Sequence, residues 1–568
     1  MTAIEFYDFE VYRFNWLVVI INPFEQTITK IVDNSDELKA YYTKHRNDIW
    51  IGYNSRSYDQ WILKAIIADI TPWDVNDWII NKGRKGWEFS SALNYVKLYN
   101  YDCMNKFYSL KQLEGFMGND MQETSVPFDI DRPLTESEIQ MTLDYCQHDV
   151  EQTMEVFLRT KATFDAHLAL IKTFDLPLSA ISKTQAQLSA MALGCVRKEW
   201  FDEWDLQLVP TLKINKYNDV AKWFMDPAHH NYNDSLTVDV CGVPHVFGWG
   251  GLHGAPTKPL HRKGLLIHVD VTSYYPSLMI KYDLLSRNVR DKSVYKRIYD
   301  KRVALKKAGK KAEQAPYKII LNSTYGICKD PTSAAYDPRQ ANNVCINGQL
   351  LLLDLLEHLE GSCELIQSNT DGLIIQIEDT DDAFDMVDMI CAEWEQRTGM
   401  KLSFDIITDI WQKDVNNYVF RFEDGDVERK GAYVKELNYL DNDLPIINKA
   451  LVAYMLDGVP IEKTIDESQD LKDFQKIVKI SGKYACGWHN GRKLTDKTFR
   501  VFASKMLMNS FIGKMKEGKD TAEKFANTPD HCFIWNDDVN GVQIPDELDK
   551  PWYVDLAKKR LKQFGVCP

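Results

Sequence analysis

The sequence predicts a multidomain α/β protein. With 568 residues, the chain is too long to fold around one hydrophobic core. Its composition, with 45% apolar and 26% charged residues, is typical of a globular rather than a disordered protein. Segments with the two-residue period of β-strands also alternate with segments whose apolar residues recur at helical spacing. We therefore expect several domains that combine sheets and helices.

The N-terminal half begins with strands and continues with helices. Residues 4–21 alternate as two strands joined around Asn15, and a helix-rich stretch follows that ends in a helix over 137–158. Residues 226–246 are rich in His, Asn, Asp and Gly, and this composition predicts a linker.

The second half contains a predicted hairpin. A strand over 265–269 is followed by a basic helical segment and by a helix over 344–360. Strands over 365–367 and 373–377 are joined by residues 368–372, whose Ser-Asn-Thr-Asp-Gly sequence favours a tight turn.

Several classes of protein are excluded by composition. Even the longest apolar runs, such as the seven residues 450–456, are far too short to span a membrane, and the acidic residues near the N-terminus are unlike a secretory signal. The eleven cysteines form no CxxC pair, which disfavours a zinc or iron–sulfur site and suits free thiols in a reducing cytosol. We expect a cytoplasmic protein with no membrane partner.

The charge is unevenly distributed along the chain. The formal net charge is −14, yet residues 291–318 and residues 472–505 each carry a net charge of +7. Local basic clusters contact nucleic-acid phosphates even in an acidic protein, but a charge run is also often a solvated face. Both interpretations remain open for each cluster.

Acidic residues of the N-terminal third have the spacing of a metal site. Asp8 and Glu10 share one side of a predicted strand, Asp59 begins a helix, and Tyr145 lies one helical turn before Asp149. Four carboxylates from three elements can hold two divalent ions that activate a water for phosphodiester hydrolysis. Tyr145 is placed to orient that water.

A second acidic pair lies in the middle of the chain. Asp270 follows an apolar strand, with the Val271 carbonyl as a further oxygen ligand, and Asp371 lies in the hairpin turn. Magnesium prefers such hard oxygen ligands together with substrate phosphates.

The basic helical segment adds a candidate triphosphate site. Lys318, Asn322 and Tyr325 fall on one face of a helix, and Arg302 and Lys306 stand one turn apart upstream. Cations so placed neutralise the charge that develops on a leaving pyrophosphate. An ordinary solvated helix that ends at Gly326 is the alternative.

Three of these motifs resemble those of family B DNA polymerases. The run from Lys318 to Gly326 resembles the KxxxNSxYG motif of the fingers helix, and Asp270 to Ser277 resembles motif A, DxxSLYPS, with Tyr274 in place of leucine. Residues 369–372, Asn-Thr-Asp-Gly, take the place of motif C, DTDS, so that its first aspartate is an amide here. The resemblance implies that Tyr275 packs against the sugar of the incoming nucleotide and excludes a 2′-hydroxyl.

The N-terminal motifs resemble those of the DEDDy proofreading exonucleases. The patterns DxE, Nx₃YD and Yx₃D occur in the order that these nucleases have. The resemblance implies that Asn54, Tyr58, Ser109 and Leu110 contact single-stranded DNA. Weaker likenesses place Gly250 and Gly251 in a loop that approaches template phosphates, and align Tyr418 with a tyrosine of the palm.

The resemblance implies a role for each of these residues. The catalytic set comprises Asp270, Asp371, Asp8, Glu10, Asp59, Asp149 and Tyr145. The metal ligands, for two Mg²⁺ or Mn²⁺ ions at each of two sites, comprise Asp270, Val271, Asp371, Asp8, Glu10, Asp59 and Asp149. The nucleotide-binding set comprises Arg302, Lys306, Lys318, Asn322, Tyr275, Tyr325 and Val271. The DNA-binding set comprises Asn54, Tyr58, Ser109, Leu110, Gly250, Gly251, Thr370 and Tyr418.

The implied architecture is a ribonuclease H-like exonuclease domain followed by a right-hand polymerase with an antiparallel palm sheet, helical fingers and a thumb. The expected boundaries are 1–165 for the exonuclease, 166–250 for a connecting segment, 251–285 for the palm with motif A, 286–326 for the fingers, 327–430 for the palm with motif C, and 431–568 for the thumb.

Spacing distinguishes this chain from the small protein-primed phage polymerases. Only 48 residues separate Asp270 from Lys318, and 45 separate Gly326 from Asp371, so neither of that subgroup's two insertions has room. Residues 121–140 also lack the lysine that the subgroup carries there. The resemblance is thus to a compact, bacteriophage-type enzyme, in the host cytoplasm if it is phage-encoded.

The sequence leaves three candidate functions. The first is a monomeric DNA polymerase with proofreading, whose partners are primer-template DNA, dNTPs and replisome accessory proteins. The second, motivated by Asn369, is a 3'-5' exonuclease with a degenerate polymerase site. The third, a non-enzymatic DNA-binding protein, is disfavoured because six acids in motif context are useful near a polyanion only with metal ions.

Overall fold

The computed structural model describes residues 3–431, 433–438, 440–441 and 443–566. The chain forms two compact units. The first unit comprises residues 1–183, 437–446 and 467–553, and the second unit comprises residues 184–436, 447–466 and 554–568. The finer domain boundaries stay predictions.

The N-terminal part of the first unit is a mixed sheet with helices. Its strands are β1 Ile4–Val11, β2 Trp16–Asn22, β3 Thr27–Val32, β4 Ile49–Gly52 and β5 Tyr99–Asp102. Its helices are α1 Ser35–His45, α2 Asp59–Ile67, α3 Pro72–Asn76, α4 Ser91–Tyr95, α5 Leu110–Met117, α6 Glu136–Arg159 and α7 Lys161–Thr173. The predicted strand pair and the predicted helix over 137–158 are confirmed as β1, β2 and α6.

The order of strands in this sheet is β3-β2-β1-β4-β5. Strand β1 is antiparallel to β2 and parallel to β4, so it lies at the centre of the sheet. Trp50, Ile62 and Leu63 belong to a buried apolar cluster between the sheet and α2, and α6 packs against β1 and β2. This packing places α2 and α6 beside β1, and these three elements carry the predicted acidic residues.

The second unit is built on one long antiparallel sheet. Its helices are α8 Gln185–Ala192, α9 Asn218–Met225, α10 Tyr274–Lys281, α11 Ser293–Lys307, α12 Lys311–Lys329, α13 Pro338–Leu359 and α14 Asp381–Thr398. Its strands are β6 Ser235–Val240, β7 Val243–Gly248, β8 His253–Gly254, β9 Leu260–Val271, β10 Glu364–Ser368, β11 Gly372–Gln376, β12 Leu402–Asp414, β13 Asn417–Phe422 and β14 Val427–Lys430. The strand order is β14-β13-β12-β9-β11-β10-β8-β7-β6.

The linker predicted over residues 226–246 is wrong. Most of this segment lies in the antiparallel hairpin of β6 and β7, which turns at Cys241 and Gly242, both with positive φ. Burial alternates along both strands, so the hairpin buries one face only. Its polar, turn-rich composition hid this period of two.

Helix α13 explains why polar residues occur on a buried helix. Nineteen of its 22 residues are buried. The side chains of Asn343, Asn347 and Asp354 accept hydrogen bonds from backbone N–H groups of the extended segment 207–213 at 2.7–2.8 Å. Buried polar groups need such partners, and here they hold an irregular segment against the helix.

The basic segment forms two helices, α11 and α12, which pack against each other. Helix α12 continues through Gly326 and ends at Lys329, so the alternative of a helix that stops at Gly326 is wrong. The predicted helix over 344–360 and the predicted hairpin are confirmed as α13 and the β10–β11 pair.

The C-terminal part of the chain contributes to both units. It contains α15 Pro445–Asp457, α16 Ile461–Glu467, β15 Lys476–Lys479, β16 Cys486–His489, β17 Arg492–Leu494, β18 Thr498–Ala503, β19 Gly513–Met515, β20 Glu523–Lys524, β21 Cys532–Ile534 and α17 Lys550–Leu561. Strands β15–β21 form two small sheets, β15-β18-β21 and β17-β16-β19-β20.

One member of the second basic cluster is not at the surface. Arg500 on β18 is fully buried, and its guanidinium donates hydrogen bonds to carbonyls that include those of Asn119 at 2.7 Å and Gly115 at 3.4 Å. Lys476 is paired with Asp443 at 2.5 Å. These two cations stabilise the first unit from within, so the surface charge of the cluster is lower than the sequence suggests.

All ten cysteines that the structure describes are free, as predicted, and Cys567 lies outside the described residues. In the described part of the chain, no helix has both the length and the apolar character to cross a membrane.

Candidate functional site

The acidic residues of the first unit converge at the centre of its sheet. Ligand oxygens of Asp8, Glu10 and Asp149 all lie within 4.8 Å of one another. The two β1 residues share one face of the strand, and α6 brings Asp149 to that face. We call Asp8, Glu10, Asp59 and Asp149 the first carboxylate site.

Asp59 joins this site through the backbone of β1. It is the first residue of α2, is 3% exposed, and accepts a hydrogen bond from the N–H of Phe9 at 3.1 Å. Among the described residues it is not part of the 4.8 Å group. Its carboxylate therefore borders the other three acids.

The first carboxylate site concentrates negative charge in a buried place. Burial, together with the neighbouring acids, raises the pKa of Asp8 and of Glu10 well above their usual range. Burial also raises the pKa of Asp59 to about 7. Like charges held this close are unfavourable without a cation, which is the electrostatic character of a divalent-ion site.

A lysine that sequence reasoning did not select contacts this site. The Lys111 ammonium, in the first turn of α5, lies 2.5 Å from Asp149 Oδ1 and 3.1 Å from Glu114 Oε1. Glu114 is fully buried, and its second oxygen lies 3.7 Å from His148. The only sequence signal was that Lys111 and Glu114 lie one helical turn apart on α5.

Tyr145 lies beside the same groups. The Lys111 ammonium is 4.8 Å from the centre of its ring, and burial followed by the charge of Asp149 raises the pKa of the phenol. The hydroxyl therefore remains protonated and able to donate a hydrogen bond.

A cavity of about 660 Å³ opens next to the first carboxylate site. Glu10, Tyr58, Trp73 and Phe128 are among its lining residues. The Tyr58 hydroxyl donates to Asn76 Oδ1 at 2.7 Å, which fixes the ring at the cavity wall. Polar and aromatic walls of this kind suit an unpaired nucleotide.

The other predicted single-strand contacts have local structural roles. Asn54 has a φ of +60° in the turn that precedes α2, a conformation that asparagine tolerates better than most residues. Ser109 caps α5 in a reciprocal arrangement with Gln112, and Leu110 is the first residue of that helix.

In the second unit, Asp270 and Asp371 come together through strand pairing. Asp270 on β9 lies opposite Gly372 of β11, and the Val271 N–H donates to the Asp371 carbonyl at 2.8 Å. Asp270 and Asp371, which we call the second carboxylate site, line one cavity of about 210 Å³. Burial and then the charge of Asp371 raise the pKa of Asp270.

Asn369 has a defined place in the hairpin turn. Its N–H donates to the Gly372 carbonyl at 2.8 Å, and its side-chain oxygen accepts the N–H of Thr370 at 3.0 Å. The side chain also lines the cavity of the second carboxylate site. An aspartate can accept the same hydrogen bond, so the amide is not required by the turn.

The loop with Gly250 and Gly251 packs close to this turn. A Cβ at Gly251 would lie 2.1 Å from Thr370 Oγ1, so this position requires glycine. The Gly250 carbonyl accepts hydrogen bonds from Gln349 at 3.0 Å and Cys345 at 2.8 Å, whereas a Cβ there would meet nothing within 4 Å. The loop is therefore held against α13, and the space beside the Gly250 Cα is unoccupied by other described protein atoms.

Three tyrosines stand behind the second carboxylate site. The rings of Tyr275 and Tyr325 have centres 4.8 Å apart. Tyr274 is 3% exposed and donates to the Gly348 carbonyl at 2.7 Å. The tyrosine that replaces leucine in the motif is thus a buried, satisfied core residue.

The residues predicted to bind the triphosphate divide into two groups. Arg302 on α11 donates to Ser273 Oγ at 2.7 Å, and Ser273 has a φ of +50°. Lys306 lies close enough to Asp270 to oppose the rise in its pKa. Lys318 and Asn322 on α12 are exposed and make no described contact with the acidic pair.

Tyr418 lines the same cavity as Asp270 and Asp371. Its hydroxyl donates to Glu428 at 2.8 Å, and the Lys430 ammonium lies 5.9 Å from its ring centre. Glu428 and His268, which also line the cavity, were missed because nothing local in their strands marks them.

The donor sets of both sites fit a hard divalent ion. All of the candidate ligand atoms are carboxylate or carbonyl oxygens, which Mg²⁺ and Mn²⁺ prefer. Three acids of the first carboxylate site lie within 4.8 Å of one another, with Asp59 beside them. In the second site Asp270 and Asp371 line one cavity, and the charge of Lys306 acts on Asp270.

No protein-family profile and no curated protein sequence matches the chain. The fold is similar to that of the family B DNA polymerase from the hyperthermophilic archaeon Pyrobaculum calidifontis. The alignment covers 99% of this chain and 77% of that one, with 14% sequence identity and a TM-score of 0.43. A TM-score at this level supports no conclusion on its own about what the chain does.

Proposed function

We propose that this chain is a DNA-directed DNA polymerase with a 3'-5' proofreading exonuclease. The observation that carries the proposal is the pairing of β9 with β11, which puts Asp270 and Asp371 into one cavity with Asn369 and Tyr418. Asp270 belongs to the segment that resembles motif A and Asp371 to the segment that resembles motif C, and a right-hand polymerase of bacteriophage type requires both together.

In the second carboxylate site, Asp270, Asp371 and the Val271 carbonyl are the proposed ligands of two Mg²⁺ or Mn²⁺ ions. Ions bound there would lower the pKa of the primer hydroxyl and stabilise the charge that develops on the phosphates. Lys306, Lys318, Asn322 and Arg302 bind the triphosphate in this proposal. Arg302 must then leave Ser273, or reach the phosphates from there.

We assign the remaining contacts of the polymerase site to the residues that surround the second carboxylate site. Tyr275, supported by Tyr325, faces the sugar of the nucleotide. Thr370, Gly250, Gly251 and Tyr418 contact the primer-template DNA, where glycines allow the backbone to approach phosphates.

In the first carboxylate site, Asp8, Glu10, Asp59 and Asp149 bind the ions of the nuclease, and Tyr145 orients the attacking water. The cavity beside Tyr58 receives the single-stranded primer end, with Asn54, Ser109 and Leu110 as further contacts. A strand β1 between antiparallel and parallel neighbours supports a ribonuclease H-like domain. We propose a cytoplasmic monomer that works with primer-template DNA, dNTPs and replisome accessory proteins.

Primer extension tests this proposal directly. The full chain, incubated with a labelled primer-template and Mg²⁺, should lengthen the primer when dNTPs are present and shorten it when they are absent. Shortening under both conditions would support the second candidate, an exonuclease with a degenerate polymerase site, which Asn369 favours. No change under either condition would contradict both.

Replacing Tyr275 with valine should admit ribonucleotides. Removing the ring opens space for a 2′-hydroxyl while the carboxylates stay in place, so discrimination should fall by about a hundredfold. The measurement is single-nucleotide incorporation of a dNTP and the matching rNTP. Tyr274→Phe, which removes only the hydroxyl of the neighbouring buried tyrosine, is the control and should leave discrimination unchanged. Unchanged discrimination in Tyr275→Val would contradict the assigned place of Tyr275.

Replacing Asn369 with aspartate should preserve extension and strengthen metal binding. The added carboxylate lies in the same cavity. It should lower the Mg²⁺ concentration for half-maximal extension by about tenfold, which corresponds to ~1.4 kcal/mol of binding free energy. A Mg²⁺ titration of the extension rate checks this. If only the aspartate variant extends primers, the natural polymerase site is disabled.

A further inference from the structure

The position of Lys111 gives the first carboxylate site a cation of its own. Its ammonium contacts Asp149 at 2.5 Å, and its side chain is only 12% exposed. The same ammonium opposes the rise in pKa of Asp8 and Glu10, so its charge also acts on the two acids of β1. A buried cation at this place neutralises part of a charge that otherwise destabilises the fold.

Lys111 contacts two carboxylates at once, those of Asp149 and Glu114. Glu114, one turn along α5, lies 3.1 Å from the ammonium and is fully buried. The ring of Tyr145 offers a further favourable surface at 4.8 Å. A lysine side chain is flexible and its charge is compact, so it can keep Glu114 while it releases Asp149.

The helix that carries this pair is firmly held. Ser109 and Gln112 cap the start of α5, and the buried Arg500 donates to the Gly115 carbonyl at 3.4 Å. The backbone positions of Lys111 and Glu114 are therefore held by the helix, and only the long lysine side chain needs to move.

We propose that Lys111 is a displaceable counter-ion of the first carboxylate site. It binds Asp149 while the site is free of metal, and it retreats onto Glu114 when a divalent ion takes the Asp149 oxygen. Lys111 is thus a positioning residue that competes with the ion. The proposal rests on the proposed nuclease function of the same site.

The test measures Mn²⁺ binding in the absence of DNA, so that activity plays no part. The full chain carries Asp270→Asn and Asp371→Asn in every sample, which leaves the first carboxylate site to be titrated by calorimetry. In Lys111→Met the competitor is gone, and the Kd for Mn²⁺ should fall by about tenfold, the size expected for one charge-assisted contact. The metal-induced rise in melting temperature should also be larger than in the parent.

Glu114→Gln should have the opposite effect. Lys111 then loses its second carboxylate partner and stays on Asp149, so Mn²⁺ binding should weaken by about tenfold. This variant keeps the shape of the side chain and serves as the decisive one if Lys111→Met fails to fold. Lys106→Met removes the same charge from an exposed position of the same region and is the matched control, with no expected change.

Two outcomes would overturn the proposal. Lys111→Met with unchanged or weaker Mn²⁺ binding would show that the lysine only orders Asp149, and Glu114→Gln with unchanged or tighter binding would remove the alternative partner. Failure of the nuclease assignment gives a different result. If the first carboxylate site binds no metal, any Mn²⁺ binding by the parent will remain after Asp8→Ala and Glu10→Ala. In that case there is no ion to displace Lys111, and the proposal also fails.

Discussion

Asp371→Ala should abolish primer extension and leave primer degradation intact. Asp371 shares a cavity with Asp270, and the two carboxylates are the proposed metal ligands there. Removing it takes away the electrostatic stabilisation of the transition state, and we expect the rate to fall at least about a thousandfold. The measurement is single-turnover extension of a labelled primer.

The control for this variant is Asp405→Ala. Asp405 lies opposite His268 in the sheet and raises the pKa of Asp270, but it does not line the cavity. Its removal should change extension by only a few fold, on the scale of one screened charge. Substantial extension by Asp371→Ala would show that the motif C residue is not a metal ligand.

The double variant Asp8→Ala, Glu10→Ala should abolish primer degradation and leave extension intact. Both residues belong to the group whose oxygens lie within 4.8 Å, and both lie in the first unit. Loss of two ligands should reduce hydrolysis by at least about a thousandfold because the water is no longer activated. Degradation of a single-stranded primer without dNTPs is the measurement.

Asp144→Ala provides the matched control for the nuclease. Asp144 lies on the same helix as Asp149, but its side chain is 63% exposed and is not among the acids that lie within 4.8 Å of one another. It should degrade and extend primers as the parent does. A double variant at Asp8 and Glu10 that also loses extension would refute the assignment of two independent sites.

Local patterns predicted much of the candidate sites. Asp8 and Glu10 on one strand face, Asp59 at a helix start and Asp371 in a hairpin turn all follow from the periods of strands and helices and from turn chemistry. In the structure, each of these residues lies in the type of element that its local sequence predicted. The sequence did not predict the hairpin of β6 and β7. Its strands are exposed on one face, and their polar residues obscured the alternation of apolar residues.

The roles of the charged residues could not be predicted as well from the sequence. Arg500 and Lys476 lie in a basic run that suggests a phosphate-binding surface, yet Arg500 is buried beside residues more than 380 positions away in sequence. Whether a cation is buried or solvated depends on which distant segments pack around it, and no local window contains that information.

By itself, the sequence determined the class of the elements and the identities of the acids, because strand period, helix spacing and turn residues act over a few positions. The tertiary structure alone decided which charges meet. Lys111 and Asp149 are 38 residues apart and come together only because α5 packs against α6. Coulomb energies depend on distance and burial in three dimensions, so the counter-ion of the site became visible only in the folded chain.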